Sequence, residues 1–159
     1  MEGNKAIEKM RELLKEKKAA LDIIYNMTVK QREDIEKNEG ENLQEYIDKK
    51  QEQIDKIDNI DELFEDTFNE FKRKLNIESV EMLDLRLYPG LRAIKEQTED
   101  IVNLGKKTME IEIENKEKLT VLIENIKSDI NQVKAGKKSI HAYDAQTVNI
   151  DGVYIDKKK

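Results

Sequence analysis

Apolar side chains recur along the first part of the chain at Ile7, Met10, Leu13, Leu14, Leu21, Ile24, Met27 and Ile35. This alternation of three and four places them on one face of a helix. No Gly or Pro falls between Asn4 and Asn38, which leaves room for a helix of about 50 Å at ~1.5 Å per residue. Asn38-Glu39-Gly40 supplies the stop, with Gly40 expected in the left-handed conformation that closes a helix. A second stripe runs Leu43, Tyr46, Ile47, Ile54, Ile57, Ile60, Phe64, Phe68, Phe71 and Leu75, with carboxylates and lysines between. So short a link between two long helices returns the chain antiparallel. The first two elements therefore read as a helical hairpin.

The pattern changes after Leu75. Asn76 and Ser79 are capping residues, and Val80, Leu83 and Leu87 suggest a short helix. Tyr88-Pro89-Gly90 breaks the chain, and Pro89 also suits the first turn of whatever follows. A third long stripe begins near Leu91 and continues through Ile94, Ile101, Met109, Leu119, Leu122, Ile126, Ile130 and Val133. Its middle is polar: in strict heptads the seam there is Gly105, Thr108, Glu112 and Asn115. Such a seam is consistent with a register shift, a bend, or a groove left open for a partner. Glu112 is expected to face inward, hydrogen-bonded to Asn115 or to a backbone group. Gly136 is expected to end the helix.

From Lys137 onward the helical period is lost. Val148, Ile150, Val153 and Ile155 would share one face of a hairpin turning at Asp151-Gly152. An isolated hairpin is marginal in water, so this tail is expected extended or disordered until it meets a surface. The predicted organisation is all-α: residues 1–136 form a coiled-coil-like bundle of an antiparallel hairpin, a short helix and a further long helix. Residues 137–159 form an extended C-terminal tail.

Composition narrows the function. Charged residues are 40% of the 159, and Leu, Ile, Val and Phe number 42. The chain is thus apolar enough to fold but has an unusually large charged surface. Residues 1–133 carry 23 basic and 32 acidic groups, net −9, whereas residues 134–159 carry 6 and 3, net +3. An acidic body argues against a nucleic-acid face, which needs a basic stripe. It argues equally against anchoring on anionic lipid. No apolar run exceeds three residues, so neither a spanning helix nor a secretory signal is read, and a cytoplasmic location is expected.

The inventory also disfavours catalysis. There is no Cys and one His, His141, in the predicted tail, so no Ser-His-Asp or Cys-His pair can be set on a rigid scaffold. No Glu-x-x-His motif and no glycine-rich phosphate cradle occurs. No enzyme activity, metal or cofactor is expected. The tail, by contrast, is rich in apolar and tyrosine side chains for a segment with no helical partner: Ile140, Tyr143, Val148, Ile150, Val153, Tyr154 and Ile155. Tyrosine gives large contact area at low entropic cost, so the tail reads as a binding segment or as cover for the chain's own bundle.

Two stretches carry a family resemblance. One runs Ile130-Asn131-Gln132-Val133-Lys134-Ala135-Gly136-Lys137-Lys138-Ser139-Ile140-His141-Ala142-Tyr143, and the other Val153-Tyr154-Ile155-Asp156-Lys157-Lys158. Following a long hairpin, a short irregular segment and a third long helix, they resemble the C-terminal pattern of the FlgN-type flagellar export chaperones. The resemblance implies a cytoplasmic, non-catalytic chaperone of type III secretion. It would bind the C-terminal helical segments of hook-associated (hook–filament junction) proteins and deliver them to the cytoplasmic domain of the export gate. Tyr143 matches the family's gate-docking tyrosine, with Tyr154 second, and Ile140, Val148, Ile150, Val153 and Ile155 would accompany them. For cargo, the expectation is a groove beside the third long helix near Ile101, Met109, Leu119 and Leu122. Chaperones for the filament subunit or filament cap share this organisation. A structural or adaptor coiled coil that dimerises through its stripes is the competing reading.

Overall fold

The computed structural model describes residues 2–137. It is an all-α bundle with three long helices: α1 spans Glu2–Glu36, α2 Leu43–Lys74 and α3 Pro89–Lys137. A single 3₁₀ turn, Val80–Met82, lies in the α2–α3 connection. No strand occurs among the described residues.

Cross-helix contacts give the directions. Lys17 pairs with Asp61 at 2.7 Å and Gln31 accepts from Lys50 at 2.8 Å, so α1 and α2 run antiparallel. Gln97 donates to the Arg11 carbonyl at 3.2 Å and Lys118 reaches Glu36 at 3.3 Å, so α1 and α3 run parallel. Both α2 and α3 pack along α1, which is therefore the shared middle helix. Its inward residues include Ile7, Met10, Leu13, Leu14, Ala20, Ile24, Thr28, Gln31 and Ile35, a stripe broad enough to serve two neighbours.

The main apolar core lies where the start of α1, the end of α2 and the start of α3 converge. Ile7, Met10, Phe71, Tyr88 and Leu91 are buried together, and Phe64, Phe68, Leu75, Val80, Leu83 and Ile94 pack around them. Met10 and Phe71 are 0% and 1% exposed. The Phe71 and Tyr88 rings meet edge to face at 6.2 Å, a geometry favoured by the ring quadrupoles. The short linker between α2 and α3 thus buries Tyr88 beneath the bundle and launches α3 at once, with Pro89 as its first residue.

Three expectations need correction. Asn38 (φ 56°), not Gly40, takes the left-handed position that ends α1, and Asn76 (φ 53°) does the same for α2. Each closes a Schellman motif: Glu39 N–H donates to the Asp34 carbonyl and Asn38 N–H to Ile35, as do Ile77 N–H to Lys72 and Asn76 N–H to Arg73. Asn tolerates this conformation because its short polar side chain relieves the steric penalty. The expected short helix over Val80–Leu87 is only the 3₁₀ turn, capped by the Ser79 hydroxyl accepting from Glu81 N–H at 3.3 Å. Val80 and Leu83 pack on the core, but Leu87 is exposed, so no second turn is held down. Gly136 does not end α3, which continues to Lys137; one glycine inside a helix costs only about 1 kcal/mol.

Glycine matters by close approach at two points: a Cβ on Gly3 would stand 2.9 Å from Tyr88 Cε1, and the tighter case is Gly90. A Cβ on Gly90 would stand 2.4 Å from Ile7 Cγ2, so α3 can rest on α1 there only without a side chain. Around Gly105 a Cβ would meet nothing within 4 Å. Gly90→Ala is therefore expected to lower stability by about 1–3 kcal/mol through overpacking. Gly105→Ala is expected to raise it by about 0.5–1 kcal/mol through the unfolded state and helix propensity. Urea titrations followed by helical circular dichroism check both signs.

Candidate partner-binding site

The polar middle of α3 is not an open groove. Thr108 and Asn115 are buried, and Glu112 is half-buried between the other two helices. Thr28, 0% exposed on α1, holds its Oγ1 2.7 Å from the Ile24 carbonyl and 2.9 Å from Glu112 Oε1. Lys50 on α2 donates to both Gln31 Oε1 and Glu112 Oε1. Asn115 Nδ2 donates to the Thr28 carbonyl at 3.1 Å, completing a layer that takes residues from all three helices. Glu112 thus faces inward as expected, with the Thr28 hydroxyl and the Lys50 ammonium among its partners. The signal for this was present: Lys50 falls between Ile47 and Ile54, and Gln31 between Thr28 and Ile35, at positions the stripes assign to the interior.

The Thr28 hydroxyl, the Lys50 ammonium, Gln31 Oε1 and Asn115 Nδ2 find these partners only when α1, α2 and α3 hold one register, while Asn115 Oδ1 is buried without a hydrogen-bond partner among the described residues. Paired charges at partly buried sites contribute little net stability, but removing one partner leaves the other badly solvated. Glu112→Ala is expected to cost about 1–3 kcal/mol. The double change Lys50→Met with Glu112→Leu is expected to restore most of it, as urea midpoints of the two variants and the parent chain will show. A neutral Glu112→Ala would reduce the layer to a surface ion pair.

Beyond this layer α1 stops. Glu36 is its last residue and pairs with Lys118, while α3 continues for 19 residues to Lys137, about 28 Å. Among the described residues α1 is the helix that packs along α3, so this distal arm has no helix beside it. Its sequence nevertheless keeps the seam: Leu119, Leu122, Ile126, Ile130 and Val133, with Ile123 adjacent. Ile126 and Val133 are 37% and 46% exposed, the others half-buried. An apolar face of this length with no companion is the feature of the fold most suited to receive another amphipathic helix.

Of the four residues expected to line a cargo groove, the structure brings two to this arm. Leu119 and Leu122 sit at its root. Ile101 shares their face of the helix but lies further back, buried against the bundle. Met109 is 59% exposed and lies roughly 80° around the helix from Ile101 at ~100° per residue, so it belongs to a different surface. The four do not line one groove. Ile126, Ile130 and Val133, noted in the sequence only as stripe positions, extend the seam instead. Tyr143, Tyr154, Ile140, Val148, Ile150, Val153, Ile155 and His141 lie outside the described residues.

Among the described residues, no group of three or more His, Cys, Asp or Glu is placed to hold a metal ion. No helix there is long and apolar enough to cross a membrane. No family model, curated protein or solved structure matches the chain.

Proposed function

We propose that this protein is a cytoplasmic export chaperone of the FlgN type. It holds the C-terminal helical segments of hook–filament junction proteins and passes them to the cytoplasmic domain of the flagellar export gate. The observation that carries the reading is the distal arm of α3, a preformed helix with a continuous apolar seam and no companion helix among the described residues. A segment that is itself amphipathic and aggregation-prone would bury its stripe there by helix-in-groove packing. The C-terminal pattern around Tyr143 and Tyr154 supports the second half of the reading, delivery to the gate.

Isothermal titration of the full chain with the junction proteins' C-terminal segments is expected to give saturable one-to-one binding at micromolar or tighter affinity. Absence of heat with every segment, together with a tight homodimer in sedimentation, would establish the structural coiled coil instead. Tyr143→Ala is expected to leave helicity and Tm unchanged while weakening binding to the gate's cytoplasmic domain. A fall in Tm would make Tyr143 a packing residue.

A further inference from the structure

The arm's seam continues the face of α3 that α1 covers. Taking ~100° per residue, Leu119, Leu122, Ile126, Ile130 and Val133 fall within roughly 40° of the Ile126 direction, and so does Asn115, which reaches the Thr28 carbonyl of α1. Where α1 stops at Glu36, no other helix among the described residues takes its place beside α3. The site left there has a closed end at the root, where Glu36 meets Lys118, and an open end at the tip, where the described helix finishes at Lys137. The next 22 residues start at that open end. They hold Ile140, Val148, Ile150, Val153 and Ile155 with Tyr143 and Tyr154, apolar positions that belong to none of the three helical stripes. We propose that residues 138–159 fold back along the arm and cover its seam, so that a cargo helix must displace them. The contact stands without the chaperone reading, whereas the displacement rests on it.

Length and attachment favour this occupant. An extended chain covers ~3.3 Å per residue, so about nine of the 22 residues retrace the arm and the rest suffice for a turn at its tip. Joined to the arm directly, the segment meets the seam at an effective concentration of order millimolar, and a free partner must bind tightly enough to overcome that. A second copy fits less well. Laid parallel, its α3 would run into α1, because the seam shares a face with Ile101, which is buried in the bundle. Laid antiparallel about a two-fold axis, two arms that each stop short of the other's α1 set Leu119 level with Lys137 and Leu122 level with Lys134. Half of the seam then faces lysine instead of an apolar side chain. Nor do the bordering lysines select an outside partner by charge, since Lys116, Lys127 and Lys134 are already engaged and Lys118 is held by Glu36. The attached segment needs neither symmetry nor spare charge.

The chain has no cysteine, so single cysteines report on cover. In the full chain, alkylation of Ile130→Cys is expected to be about tenfold slower than in the same chain carrying Val148→Ser, Ile150→Ser, Val153→Ser and Ile155→Ser. Glu124→Cys, at the back of the helix, is expected to react alike in both, and circular dichroism to show equal helicity. Equal rates at Ile130→Cys overturn the proposal. Protection that disappears on dilution also overturns it, in favour of a second copy. A nitroxide on Asn149→Cys is expected to broaden the amide resonances of residues 122–133 in its own chain and to leave those of residues 91–101 sharp. An arm that stays sharp overturns the contact, and so does equal broadening in an unmodified isotope-labelled chain mixed with the nitroxide-bearing one. Titrated with the junction proteins' C-terminal segments, the chain with the four serines is expected to bind about tenfold tighter than the parent. Equal affinity overturns the displacement. No binding by either chain rejects the chaperone reading, while slow alkylation of Ile130→Cys keeps the covered seam.

Discussion

A carboxylate placed where three helices meet must be answered from more than one side, and Glu112 is answered by Thr28 of α1 and Lys50 of α2. An apolar seam alone would tolerate sliding, because one leucine layer resembles the next. Moving α3 by a heptad relative to α1 would bury Glu112 among side chains that offer it nothing and strip Thr28 and Lys50 of their acceptor. The polar layer thus sets the register of α3, and with it the length of helix that projects past Glu36. One heptad is about 10 Å, so a shift in either direction would change the arm by roughly a third. The arm's geometry follows from a contact that lies outside it.

At the opposite end the constraint is steric. Gly90 allows α3 to start in contact with Ile7, and Tyr88 fills the space beneath by turning its ring edge toward Phe71. Apolar packing holds this end, where directional bonds are few, and the hydrogen-bonded layer holds the other. The two act on different degrees of freedom: the core resists separation of the helices, whereas the layer resists their sliding. Substitutions in one should therefore be nearly additive with substitutions in the other, since the two clusters lie about 20 residues apart along α1 and share no side chain.

Much of the bundle was legible in the sequence. The three stripes gave the long helices, and the Phe64, Phe68 and Phe71 spacing marked one face of α2. Chain reversal at residue 38 followed from a link too short for anything else. What escaped was chemistry that depends on neighbours distant in sequence. Asn38 and Gly40 both suit a left-handed cap, and only the position at which α1 loses contact with α2 decides between them. The polar middle of α3 read as a weakness because Thr108, Glu112 and Asn115 were judged against a single stripe. The cross-helix partners of Glu112 and Asn115, Thr28 and Lys50, sit some 60 to 90 residues earlier in the chain. The candidate groove was misplaced for a related reason, as Met109 and Ile101 are both stripe positions in a list but occupy different faces once the helix turn is followed.

The arm also raises the question of why so exposed a seam does not simply collapse or aggregate. A free helix of 19 residues with several β-branched positions would be marginal in water, yet the arm needs no nucleation because α1 already anchors the same helix from Leu91 to Lys118. The acidic back face, with Glu117 and Glu124, discourages association of arms back to back. A partner helix meeting such a surface loses its own freedom, but the arm has little left to lose, so more of the burial remains as affinity. Such a site is rigid but short, and its strength depends on the few side chains that fill it.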